Sequence, residues 1–182
     1  RNAIVGISID SAATLTIQNT SIENAAAYGL YSSHSEVEGN NLLIFGSGSH
    51  SIALTYGGSY NFNYCTFYSD LNEDESVLIN NYLCLDDLCS SYDPFPVDAA
   101  FTNCILAGGS EDELALNPDS KENVGTSFKY QFSNCVIRAK ELLEADNFPN
   151  FFEECKDCIS VQSADPLFVD RFKYDLHLDT MS

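Results

Sequence analysis

The chain has 182 residues, 45% of them apolar, with 27 Asp and Glu against 8 Lys and Arg, for a formal charge of −19. That length and apolar content suit one domain with a sizeable core. Residues 2–120 contain 16 acids and no Lys or Arg, a surface that repels nucleic acid, anionic lipid and polyuronate. No apolar run approaches the length of a membrane span.

Short strands are expected from the first residues onward. Ile7-Ser8-Ile9-Asp10-Ser11 is followed by Thr14-Leu15-Thr16-Ile17-Gln18. In the second run Leu15 and Ile17 face inward and Thr14, Thr16 and Gln18 face out, by the period-two alternation of a strand. Further short strands follow at Gly29-Leu30-Tyr31-Ser32, Ser51-Ile52-Ala53-Leu54-Thr55, Val77-Leu78-Ile79-Asn80-Asn81 and Leu114-Ala115-Leu116-Asn117. Each is bounded by Gly, Ser, Asn or Asp, the residues of turns.

One phrase recurs between them. It reads Ile17-Gln18-Asn19-Thr20-Ser21-Ile22, then Val37-Glu38-Gly39-Asn40-Asn41-Leu42, then Phe62-Asn63-Tyr64-Cys65-Thr66-Phe67. Phe101-Thr102-Asn103-Cys104-Ile105-Leu106 and Phe132-Ser133-Asn134-Cys135-Val136-Ile137 repeat it, at steps of 20, 25, 39 and 31 residues. Self-similarity at such steps is the mark of a solenoid, whose units are too short to bury a core alone. An antiparallel β-sandwich is the alternative. It gives no reason for the column of equivalent residues Ile17, Val37, Phe62, Phe101 and Phe132. The expected fold is therefore all-β, a parallel β-helix of about five to six coils with loop insertions.

Within the phrase, Asn19, Asn103 and Asn134 are expected to point inward where a coil turns between sheets, tolerating left-handed backbone there. Cys65, Cys104 and Cys135 are expected as small buried residues stacked one above another. A metal-binding role would require thiolates in an apolar interior. The flanking outward positions are Thr16 and Gln18, Glu36 and Glu38, Asn61 and Asn63, Ala100 and Thr102, Gln131 and Ser133.

Two insertions carry the remaining chemistry. Residues 68–76 include Asp70, Asn72 and Asp74, oxygen ligands on alternate residues like the first half of a Ca²⁺ loop. The loop lacks the Gly at its sixth position (Glu75) and the Glu at its twelfth (Asn81), so a solvated acidic turn is the competing reading. Residues 83–98 add Asp86, Asp87, Asp93 and Asp98 among Tyr92, Pro94, Phe95 and Pro96. Their aromatic rings either cover the side of the solenoid or stack on a sugar. Cys84, Cys89, Cys155 and Cys158 lie in insertions and are disulfide candidates, with three possible pairings and a Cys₄ zinc site as the rival. His34 and His50 fall in Ser-rich turns and are expected in solvent. From residue 138 the chain is less regular. A short helix is expected over 139–145, then a final coil with Leu167, Phe168, Leu176 and Leu178.

The Asn-Cys phrases, together with the tail Ala164-Asp165-Pro166-Leu167-Phe168-Val169-Asp170 and Tyr174-Asp175-Leu176-His177-Leu178-Asp179-Thr180-Met181-Ser182, resemble exported right-handed parallel β-helix proteins of gut bacteria. The resemblance covers nearly the whole chain, and the tail is its more specific part. It implies an exported location and a single domain over 1–182 that forms the C-terminal piece of a longer solenoid, with 138–182 as its irregular end. The edge of the first coil would then be covered by preceding residues or by another chain, since a bare strand edge invites pairing. Some such relatives are polysaccharide lyases or glycoside hydrolases, and the family is otherwise largely uncharacterised.

The residues themselves speak against chemistry in this segment. A lyase needs a base and a cation against the uronate carboxylate, and the clear repeat holds no Lys or Arg before Lys121. An inverting glycosidase needs two facing carboxyls about 6.5–9.5 Å apart, and only one coil of the phrase supplies acids. Gly46-Ser47-Gly48-Ser49-His50 reads as a turn and not as a Gly-His-Gly signature. Tyr31, Glu38, Asn61, Asn63 and Tyr92 are the candidate ligand-binding residues, with polysaccharide the expected partner and Ca²⁺ the possible cofactor. The expected function is polysaccharide or cell-surface binding without catalysis. The alternatives are a carbohydrate-active enzyme with its catalytic coils upstream, and a structural spacer or adhesin segment.

Overall fold

The structure is a computed structural model that describes residues 3–10, 12–70, 74–119, 127–144, 148, 150–163, 167–173 and 175–179. In chain order it contains β1 (Val5–Asp10), β2 (Thr14–Glu23), β3 (Tyr28–Phe45), β4 (Ile52–Asn63), β5 (Thr66–Ser69) and β6 (Val77–Asn80). Next come β7 (Tyr82–Cys84), β8 (Tyr92–Pro94), β9 (Val97–Thr102), β10 (Ile105–Gly108), β11 (Leu114–Asn117), β12 (Phe128–Ser133) and β13 (Val136–Ile137). Two helical turns, α1 (Glu141–Glu144) and α2 (Phe151–Glu154), precede β14 (Ile159–Ser160), β15 (Phe168–Asp170), a 3-10 turn Arg171–Lys173 and β16 (Asp175–Leu178). The fold is all-β. Twelve strands form one large parallel sheet curled into a half-barrel, and β7–β8 and β15–β16 are separate antiparallel pairs.

The register divides the large sheet into three parallel ladders. The first runs Ile9, Ser32, Leu54, Ile79, Leu116, drawn from β1, β3, β4, β6 and β11. The second runs Ile17, Gly39, Phe62, Phe101, Phe132, from β2, β3, β4, β9 and β12. The third runs Ile22, Ile44, Phe67, Leu106, Ile137, Ser160, from β2, β3, β5, β10, β13 and β14. β3 is 18 residues long because it bends through all three, with a register shift between Ser33 and Ser35 where it leaves the first.

Between ladders the backbone turns through left-handed residues, single at most bends and continued by Gly57 and Gly58 after Tyr56. Ala12, His34 and Tyr56 make the bend from the first ladder to the second. Asn19, Asn41, Tyr64, Asn103, Asn134 and Asp157, all with φ between 51° and 55°, make the bend from the second to the third. The N–H of Tyr64 donates to the Thr102 carbonyl at 3.0 Å, that of Asn103 to Ser133 at 2.9 Å and that of Asn134 to Lys156 at 2.8 Å. The left-handed turn is thus the same hydrogen-bonded unit at these three positions.

Two expectations for the phrase are corrected here. Asn19 and Asn134 are exposed and Asn103 is only half-buried, so these side chains are not an interior ladder. The left-handed bend swings Cβ outward, and the backbone N–H bridges the coils instead. Where side chains do link, they do so on the outside, as Asn41 Nδ2 donates to Asn19 Oδ1 at 2.8 Å. Val37 does not share the rung of Ile17; it pairs with Leu15 and Tyr60, and Gly39 takes the rung below Phe62. A Cβ on Gly39 would lie 2.5 Å from the Phe62 ring, so the missing side chain is the space the ring fills.

The core follows the columns. Phe62 stacks on Phe101 at 5.2 Å, Phe101 on Phe132 at 4.8 Å, and Phe132 meets Phe151 of α2 at 5.4 Å. α2 therefore closes the ring column at its end. Cys65, Cys104 and Cys135 are free and buried, and their thiols donate to the carbonyls of Gly39 (3.8 Å), Phe62 (3.5 Å) and Phe101 (3.4 Å) in the adjoining coil. The flanking Cys135 and Cys65 thiols, and then burial, push the Cys104 thiol above its ordinary range. They behave as packing residues.

The C-terminal segment differs from the expected final coil. β15 and β16 form an antiparallel hairpin that lies on the outer face of the third ladder, where Phe168, Leu167 and Leu176 pack on Phe45, Tyr68, Ala107, Leu43 and Ile105. That face is apolar, and the hairpin covers it. Arg171 Nη1 donates to Tyr68 Oη at 3.3 Å. Residues 164–166, 174 and 180–182 of the tail motif lie outside the described residues. The expected helix over 139–145 is present as α1; α2 was not anticipated.

Candidate functional site: the outer face of the second ladder

The second ladder presents three polar columns to solvent. Thr14, Glu36, Ser59, Asp98 and Lys129 form one; Thr16, Glu38, Asn61, Ala100 and Gln131 form the next; Gln18, Asn40, Asn63, Thr102 and Ser133 form the third. Successive rungs of a parallel sheet lie about 4.8 Å apart, so each column is a row of evenly spaced donors and acceptors. Thr14 Oγ1 donates to Glu36 Oε2 at 3.2 Å and Asn63 Nδ2 to Asn61 Oδ1 at 3.2 Å. At the N-terminal end a shallow groove of roughly 160 Å³ is lined by Thr16, Gln18, Glu38, Gly39, Asn40, Asn61 and Asn63. Gly39 contributes only backbone to it, because the side chain it lacks would point inward at Phe62.

The structure thus brings together Glu38, Asn61 and Asn63 among the residues singled out from the sequence. It adds Asn40, which the two-residue shift at Val37 moves into the groove in place of Glu36. It also adds Asp98, which belongs to β9 and shares its column with Glu36 two rungs away. The groove lining contains no Lys, Arg, His, Ser or Cys; it offers hydrogen bonds and one carboxylate, Glu38, without the second facing carboxyl that glycoside hydrolysis uses.

Tyr31 and Tyr92 lie elsewhere. Tyr31 is on the first ladder, where Thr55 Oγ1 donates to its hydroxyl at 3.3 Å and Tyr28 packs 5.4 Å away. Tyr92 belongs to the β7–β8 hairpin and packs on Tyr82 at 5.7 Å. That insertion folds back on the first bend. Phe95 meets His34 edge-on at 3.9 Å, and Tyr56 Oη donates to Asp93 Oδ2 at 2.5 Å. His34 is accordingly half-buried and His50 is 9% exposed, its Nδ1 2.6 Å from the Glu75 carbonyl. Neither is the solvent-exposed turn residue expected, because inserted chain packs over both turns.

The insertion tip is closed by a Cys84–Cys89 disulfide, and a second disulfide joins Cys155 to Cys158. Proximity in the chain selects these two among the three pairings. The Asp86 carboxylate accepts hydrogen bonds from the backbone N–H groups of Leu88, Ser90 and Ser91 and from the Ser90 hydroxyl, which hold it below the usual carboxylate range. The acidic loop is less fully engaged, and Asp70 Oδ1 is buried without a hydrogen-bond partner among the described residues. Asp74 Oδ2 accepts from Ser49 Oγ at 2.8 Å, Asp70 Oδ2 from Tyr68 Oη at 3.3 Å, and Asn72 lies outside the described residues. Among the described residues no three His, Cys, Asp or Glu side chains gather to hold a metal ion. A second depression of roughly 140 Å³ is lined by Glu111, Arg138, Lys140, Val161 and Gln162. Its cations are taken up by the protein itself: Lys140 Nζ lies 2.9 Å from Glu111 Oε2, and Arg138 Nη1 donates to the Gly108 carbonyl at 2.8 Å.

Comparisons with protein-family models, with curated proteins and with solved structures find no match to this chain. Among the described residues no helix is long and apolar enough to cross a membrane.

Proposed function

We propose that the three ladders are the sheets of a right-handed parallel β-helix, and that the protein is an exported solenoid that holds polysaccharide on the outer face of its second ladder without transforming it. The observation that carries this reading is the in-register polar face: fifteen outward positions in three columns of five, fourteen of them polar, with a groove at one end. The rung spacing comes close to the length of one extended hexose unit, so a linear glycan laid along the columns meets a fresh set of amide and hydroxyl groups at each step. The two disulfides support an oxidising compartment. The groove lining holds a single carboxylate, Glu38, where glycoside hydrolysis ordinarily uses a facing pair, which favours binding over catalysis.

The test is a glycan array probed with the folded chain, with and without Ca²⁺, followed by assay of every hit for new reducing ends or unsaturated products. Binding without product is expected, and it does not depend on the cation. Replacing Asn61 and Asn63 together by alanine removes two hydrogen-bonding side chains and is expected to weaken binding about tenfold or more while the circular-dichroism spectrum stays unchanged. Product formation would establish the carbohydrate-active enzyme reading instead. Silence across the array would leave a spacer.

A further inference from the structure

The bend between the second and third ladders is made by asparagine at four of its six positions. Asn19, Asn41, Asn103 and Asn134 occupy it, with Asp157 in the last, at φ of 51°, 53°, 55°, 54° and 55°. Asn and Asp are the side chains that adopt left-handed backbone most readily after glycine. The third coil breaks the rule. Tyr64 stands there at φ 55°, a bulky side chain in a conformation that bulky side chains rarely accept. Among the described residues no ring contact or hydrogen bond of its side chain compensates for it. Its ring is 64% exposed, and among the described residues it packs against no other aromatic ring and its hydroxyl has no hydrogen-bond partner. The bend itself needs only the backbone N–H, which donates to the Thr102 carbonyl as its asparagine counterparts do in their coils.

An unfavourable backbone conformation that serves no packing purpose points to a role outside the fold. Tyr64 directly follows Asn63, which lines the groove, and it is flanked along its column by Asn41 and Asn103. It therefore places one flat apolar ring at the edge of the polar column that contains Asn40, Asn63 and Thr102. We infer that Tyr64 is the stacking platform of the glycan site, and that the ligand is an uncharged linear polysaccharide whose pyranose rings offer a flat C–H face. The inference rests on the glycan-binding reading and sharpens it to a ligand class. Aromatic rings present large rigid contact area with a polar tip, which suits an amphipathic sugar face. Charge sets the rest of the class. Glu36, Glu38 and Asp98 share the face with a single cation, Lys129, and the molecule as a whole carries −19, so uronate and sulfated chains are repelled.

The experiment is isothermal titration of the chain with cello-, manno- and xylo-oligosaccharides of increasing length and with polygalacturonate. It compares wild type, Tyr64→Asn, Tyr64→Phe and the Asn61→Ala, Asn63→Ala double variant, and records thermal midpoints for all four. Tyr64→Asn restores the residue of the other coils. It is expected to unfold at the same temperature as wild type or higher, yet to bind a neutral oligosaccharide roughly tenfold or more weakly. Tyr64→Phe keeps the ring and is expected to bind within about twofold of wild type. Affinity rises with oligosaccharide length, and polygalacturonate does not bind. If Tyr64→Asn binds as wild type does while the double asparagine variant is weakened, the platform is overturned and the glycan-binding reading stands. Preference for polygalacturonate overturns the ligand class. No binding of any of these glycans by wild type overturns both.

Discussion

Truncating Phe101 to alanine is expected to lower the unfolding free energy by about 4 kcal/mol. Phe101 is fully buried at the centre of the ring column, stacked between Phe62 at 5.2 Å and Phe132 at 4.8 Å, with the edge of Phe67 at 6.2 Å. Its backbone is hydrogen-bonded to a coil on either side, in register with Phe62 and Phe132. The two neighbouring coils therefore cannot slide together to fill the space, and the cavity persists. Cost scales with that unrelieved volume, which keeps this site well inside the usual range for Phe→Ala and away from its lower end. Phe101→Leu leaves a smaller void and is expected to cost roughly 1.5 kcal/mol. Urea titration reads both, as a shift of midpoint with little change of slope. A loss under about 1 kcal/mol for the alanine variant would mean that the column relaxes and is not the spine of the core.

A pH-dependence of stability is expected from Glu113. Its side chain is fully buried at the bend that enters β11. Its Oε2 accepts the Ser76 N–H and its Oε1 the Ser110 N–H, both at 2.9 Å. Burial pushes its pKa up from 4.5 to about 8, against the opposing pull of those N–H groups, the Ser76 hydroxyl and Arg138. The folded chain thus keeps this proton to about pH 8, whereas the unfolded chain releases it near pH 4.5. Between those values the unfolded state binds fewer protons, so stability falls as pH rises, by up to about 1.4 kcal/mol per pH unit from this group alone. Chemical denaturation at a series of pH values measures the slope. Glu113→Gln is expected to be less stable at acid pH, because its amide nitrogen faces a backbone N–H, but its slope over this interval is expected to be shallower than that of wild type. Equal slopes in the two proteins would show that Glu113 is ionised in the fold at neutral pH.

Much of this architecture is legible in the repeated phrase, because each part of it answers to a local rule. Leu15 and Ile17 alternate with Thr14, Thr16 and Gln18 as strand geometry requires, and the asparagines mark left-handed bends. The misplacement of Val37 shows where that legibility stops. Val37 and Gly39 are two residues apart and point to the same side, so alternation alone cannot tell which of them sits beside Phe62. The choice is made by volume: Phe62 fills the space that only Gly39 leaves open. That choice also replaced Glu36 by Asn40 in the groove. Tyr64 was readable as a departure from its neighbours, since it alone breaks the asparagine column with an aromatic ring. Asp98 was not, because it follows the long insertion and shows its column only once β9 is paired with β4.

From the sequence alone came the all-β character, the stacking of short strands, the burial of the phrase cysteines and the acidic surface. These depend on residue type and on a spacing of two, which any strand imposes on its own chain. The tertiary structure decided the rest. It set which residues share a rung, turned the bend asparagines outward, laid the C-terminal hairpin on the third ladder and paired the insertion cysteines with their chain neighbours. It also gathered Thr16, Gln18, Glu38, Asn40, Asn61 and Asn63 into one groove. Each of those outcomes is a contact between residues distant in the chain, selected by side-chain volume and hydrogen-bond register between coils, and a single strand carries no record of its neighbours.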